Sequence, residues 1–183
     1  MTPVVFLSRP SALSGAQAQV FDRWLLSFTE RGFQTKRLLR SEYRDDPWSQ
    51  LRELLMESDG AVVFGFKQRI CRRCAQSRFN SGSSWMQIEA GMAIMIGLPV
   101  LATPEDGVRD GVFAPTTWHG SLSGVSVDSD PSHDVVDGWA EAVTVQFGNR
   151  TRGPLLAFHT TQTEPASLAQ RHNLAPGHAS APG

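Results

Sequence analysis

Residues 84–100 read Ser-Trp-Met-Gln-Ile-Glu-Ala-Gly-Met-Ala-Ile-Met-Ile-Gly-Leu-Pro-Val. Ser83 or Ser84 can accept hydrogen bonds from the first free amides of a helix. Gly97 supplies the left-handed residue that ends a helix, and Pro99 prevents the helix from continuing. The stretch therefore predicts a helix that begins at a serine cap, stops at Gly97 and turns directly into a buried strand.

One carboxylate interrupts the apolar surface of this predicted helix. Trp85, Ile88, Met92 and Met95 recur at three- and four-residue spacing, so we expect that face to belong to the core. Glu89 follows Trp85 by one turn. Its carboxylate either lies exposed at the edge of the core, as a helical glutamate stabilised by the helix dipole, or is held in a pocket for chemistry. We pursue the pocket.

Outward from this unit, strand-like and helix-like segments alternate along the chain. Strands are predicted at 4–8, 33–39, 61–66, 99–102 and 125–127, and helices at 12–31, 47–57, 84–96 and 131–147. Parallel neighbours need crossovers of about a dozen residues, which the helices supply. The pattern predicts an α/β fold: a flavodoxin-like, doubly wound, five-stranded, mainly parallel sheet of order 2-1-3-4-5, with helices on both faces.

Length and composition indicate one folded domain followed by a tail. We assign residues 1–149 of the 183 to the α/β domain, and residues 150–183, rich in Pro, Gly and Ala, to a flexible tail. The formal net charge of −1 argues against a nucleic-acid partner. No apolar stretch has the length of a membrane span, and the amino terminus lacks the pattern of a signal peptide. We expect a cytoplasmic protein.

Ligands of open parallel sheets bind beyond the carboxyl ends of the strands, near the point where strand order reverses. The predicted order delivers candidate substrate-binding residues there from the first strand, the third strand and the start of the following helix. They are Ser8, Arg9, Phe66, Lys67, Ser84 and Trp85, with Glu89 as the catalytic candidate.

This set of residues suits the cleavage of an N-glycosidic bond. A carboxylate can attack or stabilise the oxocarbenium-like centre that forms at the ribose, as in glycoside chemistry. Trp85 or Phe66 could stack on a flat base, and Arg9 or Lys67 could hold a phosphate. Ser8 would help to orient the ribose or phosphate.

Other polar residues are weaker candidates. The segment 67–78 carries five cations and no acid, and either clamps a pyrophosphate or is a solvated loop. Cys71 and Cys74 lack a second ligand pair at zinc spacing, and we interpret them as reduced thiols. His119 is a weak candidate for a general base. We interpret the acidic residues of 105–110 as a solvated loop, and we expect neither a metal nor a cofactor.

Two short motifs resemble known families over roughly residues 3–147. Trp85-Met-Gln-Ile-Glu89 resembles the Trp-x-x-x-Glu signature of TIR domains, and residues 6–9, Phe-Leu-Ser-Arg, are similar to their first strand. Residues 89–100 equally resemble the nucleoside 2-deoxyribosyltransferase family, in which the matching glutamate is the nucleophile. That family's Asp-x-Gly-Thr turn is replaced here by Asn80-Ser-Gly-Ser83 at a longer spacing, which favours the TIR-like assignment.

The resemblance implies an N-glycosidase that cleaves the base–ribose bond of NAD or a related nucleotide, with Glu89 as the NAD-cleaving carboxylate. The nucleotide would be a substrate, not a cofactor. The alternative is a non-catalytic TIR-like module for nucleotide sensing, self-association or signalling. Residues 40–47 occupy the position of the TIR self-association loop without matching its sequence, which leaves the formation of a homo-oligomer open.

Overall fold

A computed structural model describes residues 1–38, 46–68, 84–114, 116, 122–124 and 126–151, with backbone alone for 122–124. All of these residues belong to one unit, Met1–Gly153. Strands and helices alternate as the sequence predicts. Their bounds are β1 Val4–Ser8, α1 Gly15–Glu30, β2 Gln34–Lys36, α2 Pro47–Met56, β3 Gly60–Gly65, α3 Ser84–Met95, β4 Val100–Pro104, β5 Leu122–Gly124 and α4 Asp134–Thr151.

The strands form a parallel sheet whose order in space is β2-β1-β3-β4-β5. Four strands, β2, β1, β3 and β4, form the body of the sheet, and β5 pairs with β4 over three residues at the edge. Ser8 lies beside Val63 in the register of β1 and β3. Strand order reverses between these two neighbours, so the carboxyl end of β1 borders the predicted ligand crevice. The α/β class with a parallel sheet is confirmed.

The helices cover both faces of the sheet with separate apolar layers. Along β1, Val5 and Leu7 pack toward α1 and α4, whereas Phe6 packs toward α2 and α3. This division follows from the strand geometry, because successive side chains point to opposite faces. Residues that are adjacent at the end of a strand therefore enter different environments.

Local signals in the sequence set the helix ends. Ser14 caps α1, and its side chain and that of Gln17 each bond the other's backbone amide in a capping box. Asp46 caps α2, where Pro47 occupies the first turn. Gly97 has φ of +79°, which confirms the predicted left-handed stop after α3.

Most predicted boundaries shift by a few residues, and two of the differences change an assignment. The fifth strand is Leu122–Gly124 and not residues 125–127; Val127 instead donates its amide to the Pro104 carbonyl and is buried under α1 and α4. Helix α4 continues to Thr151, two residues into the predicted tail. Residues 152–183 lie outside the described part of the chain. Among the described helices, none is both long and apolar enough to cross a membrane.

A buried aspartate fastens the amino-terminal edge of the sheet. Asp59, fully buried before β3, accepts hydrogen bonds from the Val4 amide at 2.8 Å and from Arg150 Nη2 at 3.0 Å. Arg150 also donates to the Glu57 carbonyl. Asp59 thus ties β1, β3 and the last turn of α4 together, at the end of the sheet opposite to the crevice.

We expect Asp59→Ala to lower the free energy of unfolding by about 2–3 kcal/mol, because the partly buried Val4 amide and the Arg150 guanidinium lose a charged acceptor. Urea denaturation measures the change. Glu141→Ala, an exposed substitution on α4, is the control and should change stability by less than about 0.5 kcal/mol. If Asp59→Ala lowers the free energy of unfolding by no more than the control does, the stabilising role of Asp59 is contradicted.

Candidate functional site

The candidate site is centred on a buried carboxylate at the carboxyl edge of the sheet. Glu89 projects from α3 and is only 5% exposed. The Ser8 hydroxyl, at the last residue of β1, donates a hydrogen bond to Glu89 Oε2. Strand β1 and helix α3 are thereby joined at the point where strand order reverses.

Helix α3 faces the sheet with a different side from the one predicted. Its buried residues are Met86, Glu89, Ala90 and Ala93. Ile88 is 39% exposed and Met95 is 84% exposed, so the prediction that they belong to the core face was wrong. The helix is apolar on all sides, and the periodicity gave no unique direction. The small Ala90 and Ala93 let the helix backbone approach the sheet, and this orientation carries Glu89 inward.

Burial changes the acidity of Glu89. Loss of solvent raises its pKa from 4.5 to about 7, against the opposing effect of hydrogen bonding to the Ser8 hydroxyl and to the Trp85 side chain. Among the described residues, none of the ion pairs involves Glu89. Burial therefore favours the neutral carboxyl far more than in an exposed glutamate, and a raised pKa of this kind is typical of functional carboxylates.

Trp85, which lies next to Glu89, pairs with a second tryptophan. Trp85, one turn earlier on α3, is partly buried, and its ring centroid lies 4.9 Å from that of Trp48, at the start of α2. Trp48 is 49% exposed. Sequence reasoning did not single out Trp48 as a site residue. Its place in the first turn, after Asp46-Pro47, is the signal that could have indicated a position at this edge.

A further α3 residue that sequence reasoning missed fixes the loop after β4. Gln87 Oε1 accepts the Val112 amide at 2.7 Å, and its Nε2 donates to the Asp110 carbonyl at 3.3 Å. Gly111 has φ of +54°, and a Cβ there would stand 2.3 Å from Gln87 Oε1. The backbone of this loop thus approaches α3 closely, within two residues of Glu89 in sequence.

Two predicted site residues lie on the opposite face of the sheet. The Arg9 guanidinium lies over the ring of Phe21 on α1, 4.9 Å from its centroid. Phe66 is 1% exposed and stacks on Phe64 in the layer under α1 and α4. The expectation that both would share a crevice with Glu89 is corrected, because the alternation of side chains along β1 and β3 directs them the other way.

Lys67 is held in a structural contact. Its amide donates to Glu105 Oε2 at 2.8 Å, and its Nζ lies 3.9 Å from Glu105 Oε1. Gln17 of α1 donates to the same carboxylate and to the Lys67 carbonyl. Glu105 is therefore a tie between β3, β4 and α1, and the interpretation of this residue as part of a solvated loop was wrong.

The remaining candidates are Ser84 and several residues that the structure does not describe. Ser84 is exposed at the first residue of α3. Ser83, Cys71, Cys74, His119, residues 40–45 and most of the basic segment 67–78 lie outside the described residues. In the part of the chain that the structure describes, no cluster of three or more His, Cys, Asp or Glu side chains could hold a metal ion.

Comparisons with known proteins do not assign a family. The chain matches no family model, and no curated protein matches it. Among solved structures it is similar to the crystal structure of a conserved protein from Enterococcus faecalis V583, with 14% identity and a TM-score of 0.46, over 80% of this chain and 99% of that one. A likeness at this level says nothing about function, so the TIR-like and transferase-like assignments stay predictions.

The raised pKa of Glu89 makes stability depend on pH. The contribution of Glu89 to folding stability is fully present below pH 4.5, the pKa of this group in the unfolded chain. The contribution is lost as pH rises through about 7, because the folded protein disfavours the ionised form. Glu89→Gln mimics the neutral acid. We compare the free energy of unfolding of Glu89→Gln with that of the wild type. The difference, in favour of the variant, should be about 3 kcal/mol larger at pH 8 than at pH 4.

Urea denaturation at both pH values measures this difference. Glu53→Gln, an exposed substitution on α2, is the control and should shift stability by less than about 0.5 kcal/mol at either pH. A gap between Glu89→Gln and wild type that is the same at pH 4 and pH 8 would contradict the raised pKa.

Proposed function

We propose that this protein is an N-glycosidase that cleaves the base–ribose bond of NAD or a related nucleotide, with Glu89 as the catalytic carboxylate. The observation that carries the proposal is the buried Glu89 carboxylate bonded by Ser8 at the strand-order reversal. The resemblance of residues 85–89 to the TIR signature supplies the reaction class.

The environment of Glu89 suits a group that meets developing positive charge. Its ionised form is disfavoured by burial when no substrate is bound. An oxocarbenium-like centre at the ribose would supply the missing cation, and the attraction would be strong in a poorly solvated site. Ser8 orients the carboxylate by its hydrogen bond to Oε2.

Trp85 and Trp48 are the aromatic groups that we assign to the base. Their rings adjoin each other at an interplanar angle of 41°, and Trp48 retains an exposed surface. A flat base can stack on such a surface. Trp48 replaces Phe66 in this role, since Phe66 packs under α1 and α4. Arg9 and Lys67 have no part in this proposed site.

A second candidate function follows from the low exposure of Glu89. A carboxylate that is 5% exposed and bonded to Ser8 could serve only to join β1 and α3. The protein would then be a non-catalytic module that senses a nucleotide or associates with itself. The two functions differ in turnover, which the next experiment measures.

We infer a complete five-stranded flavodoxin-like sheet in which Leu122–Gly124 is the last strand. We also infer a cytoplasmic protein whose partner is a small-molecule nucleotide. The near-neutral net charge of −1 supports a small ligand over a nucleic acid.

We expect purified protein to release base from NAD or from a nucleoside monophosphate, and Glu89→Gln to lower kcat/KM by about 10³-fold, because the neutral amide cannot attack or stabilise the cationic centre. Chromatography of the released base measures the rate. Glu141→Gln on α4 is the matched control and should keep wild-type activity.

Two outcomes would contradict this prediction. Undiminished release by Glu89→Gln would remove Glu89 from the chemistry. Nucleotide binding without any product over a long incubation would favour the sensing module.

The pH profile tests the Ser8 contact separately. Catalysis by ionised Glu89 predicts that kcat/KM rises with pH through an apparent pKa of about 7. The Ser8 hydroxyl lowers the pKa of Glu89, so Ser8→Ala should move the midpoint to higher pH. Ser8→Thr retains a hydroxyl and should restore much of the original profile. A Ser8→Ala profile whose midpoint is unmoved would contradict the coupling.

A further inference from the structure

A cleft lies on the face of the sheet opposite to Glu89. It has a volume of about 520 Å³ and opens between the carboxyl ends of β1 and β2 and the side of α1. This volume is within the range of small-molecule sites. Its charged lining residues are Arg9, Asp22, Lys36 and Arg37, and its other lining residues are Leu7, Ser11, Leu13, Ala18, Phe21, Leu25 and Thr35.

The cations of this cleft are only partly compensated. Lys36 is paired with Glu57, Nζ to Oε2, at 2.8 Å. Among the described residues, neither Arg9 nor Arg37 forms an ion pair, and Asp22 is the acidic group of the lining. Repulsion from Arg37 adds to burial in lowering the pKa of Arg9, with burial the larger cause, and Asp22 opposes both. An anion between the two guanidinium groups would relieve this repulsion.

Arg9 is also incompletely bonded. Its Nη1 donates to the Pro10 carbonyl at 2.7 Å, and its ring contact holds it over Phe21. Its Nε is buried and has no hydrogen-bond partner among the described residues. Guanidinium groups recognise phosphate through paired N–H donors, and a fixed guanidinium loses little entropy on binding.

The rest of the lining is apolar. Leu7, Leu13, Phe21 and Leu25 contribute side chains from β1, from the following loop and from α1. A bare phosphate would leave this surface in contact with water. A ligand with a flat apolar body and an anionic group would use both halves of the cleft.

We propose that the cleft between β1, β2 and α1 is a second ligand site, which binds a phosphomonoester with a flat organic body through Arg9 and Arg37. The adjacent residues Ser8 and Arg9 then serve two sites on opposite faces of the sheet. The proposal does not depend on catalysis at Glu89, since none of the lining residues contacts that group in the described structure.

Isothermal titration calorimetry with AMP, adenosine and inorganic phosphate tests the proposal. The titrations use the wild type and Glu89→Gln, because the latter prevents turnover of the probe. We expect AMP to bind at least about tenfold more tightly than adenosine or phosphate, with an affinity that falls as salt is raised.

Arg9→Gln and Arg37→Gln should each weaken AMP binding by about tenfold or more. Arg37 is exposed, so its variant tests the site even where Arg9→Gln impairs folding. Arg23→Gln, an exposed substitution on α1 outside the lining, is the matched control and should bind as the wild type does.

Equal binding of adenosine and AMP, or AMP binding that survives both Arg9→Gln and Arg37→Gln, would overturn the proposal. Absence of saturable AMP binding to the wild type would overturn it as well. A functioning N-glycosidase with no such binding would leave the proposed activity intact, and AMP binding to an inactive protein would leave the second site intact.

Discussion

The hydrogen bond between the Ser8 hydroxyl and the Glu89 carboxylate is the contact on which the candidate site depends. It joins the end of β1 to α3, where strand order reverses, and it keeps an ionisable group among apolar neighbours. Burial of a carboxylate without a cation is costly, and one hydroxyl offsets only part of that cost. A protein selected for stability alone would place an alanine or a leucine there. Functional sites are where such unfavourable placements persist.

The sheet places two functional groups that are adjacent in sequence on opposite faces. Ser8 and Arg9 are consecutive, yet the strand sends the first toward α3 and the second toward α1. One face then presents a carboxylate with tryptophans, and the other a cleft with two arginines over apolar side chains. A phosphate on Arg9 and a ribose on Glu89 would therefore belong to different ligand molecules or to different events.

Side-chain hydrogen bonds at the ends of the sheet hold the strands, helices and loops in place around the two faces. Gln17 completes the capping box of α1 and also bonds Lys67 and Glu105, which fixes the ends of β3 and β4 relative to that helix. Gln87 holds the loop after β4 against α3. Asp59 performs the same task at the far end of the sheet. The contacts of Gln17 and Gln87 lie at the carboxyl edge, where placement of a reactive group requires supporting contacts.

The sequence by itself determined the alternation of strands and helices, the strand order and the stop at Gly97, because these depend on local periodicity, chain connectivity and backbone conformation. It also singled out Glu89 and Ser8. Only the tertiary structure decided which side of α3 is buried, since a helix that is apolar all round offers no preferred face until Ala90 and Ala93 meet the sheet. The tertiary structure also decided that Arg9 and Phe66 lie on the face opposite to Glu89. It decided as well that Trp48 contacts Trp85. These contacts depend on which face of a strand or helix is buried, and residues far apart in sequence determine that together.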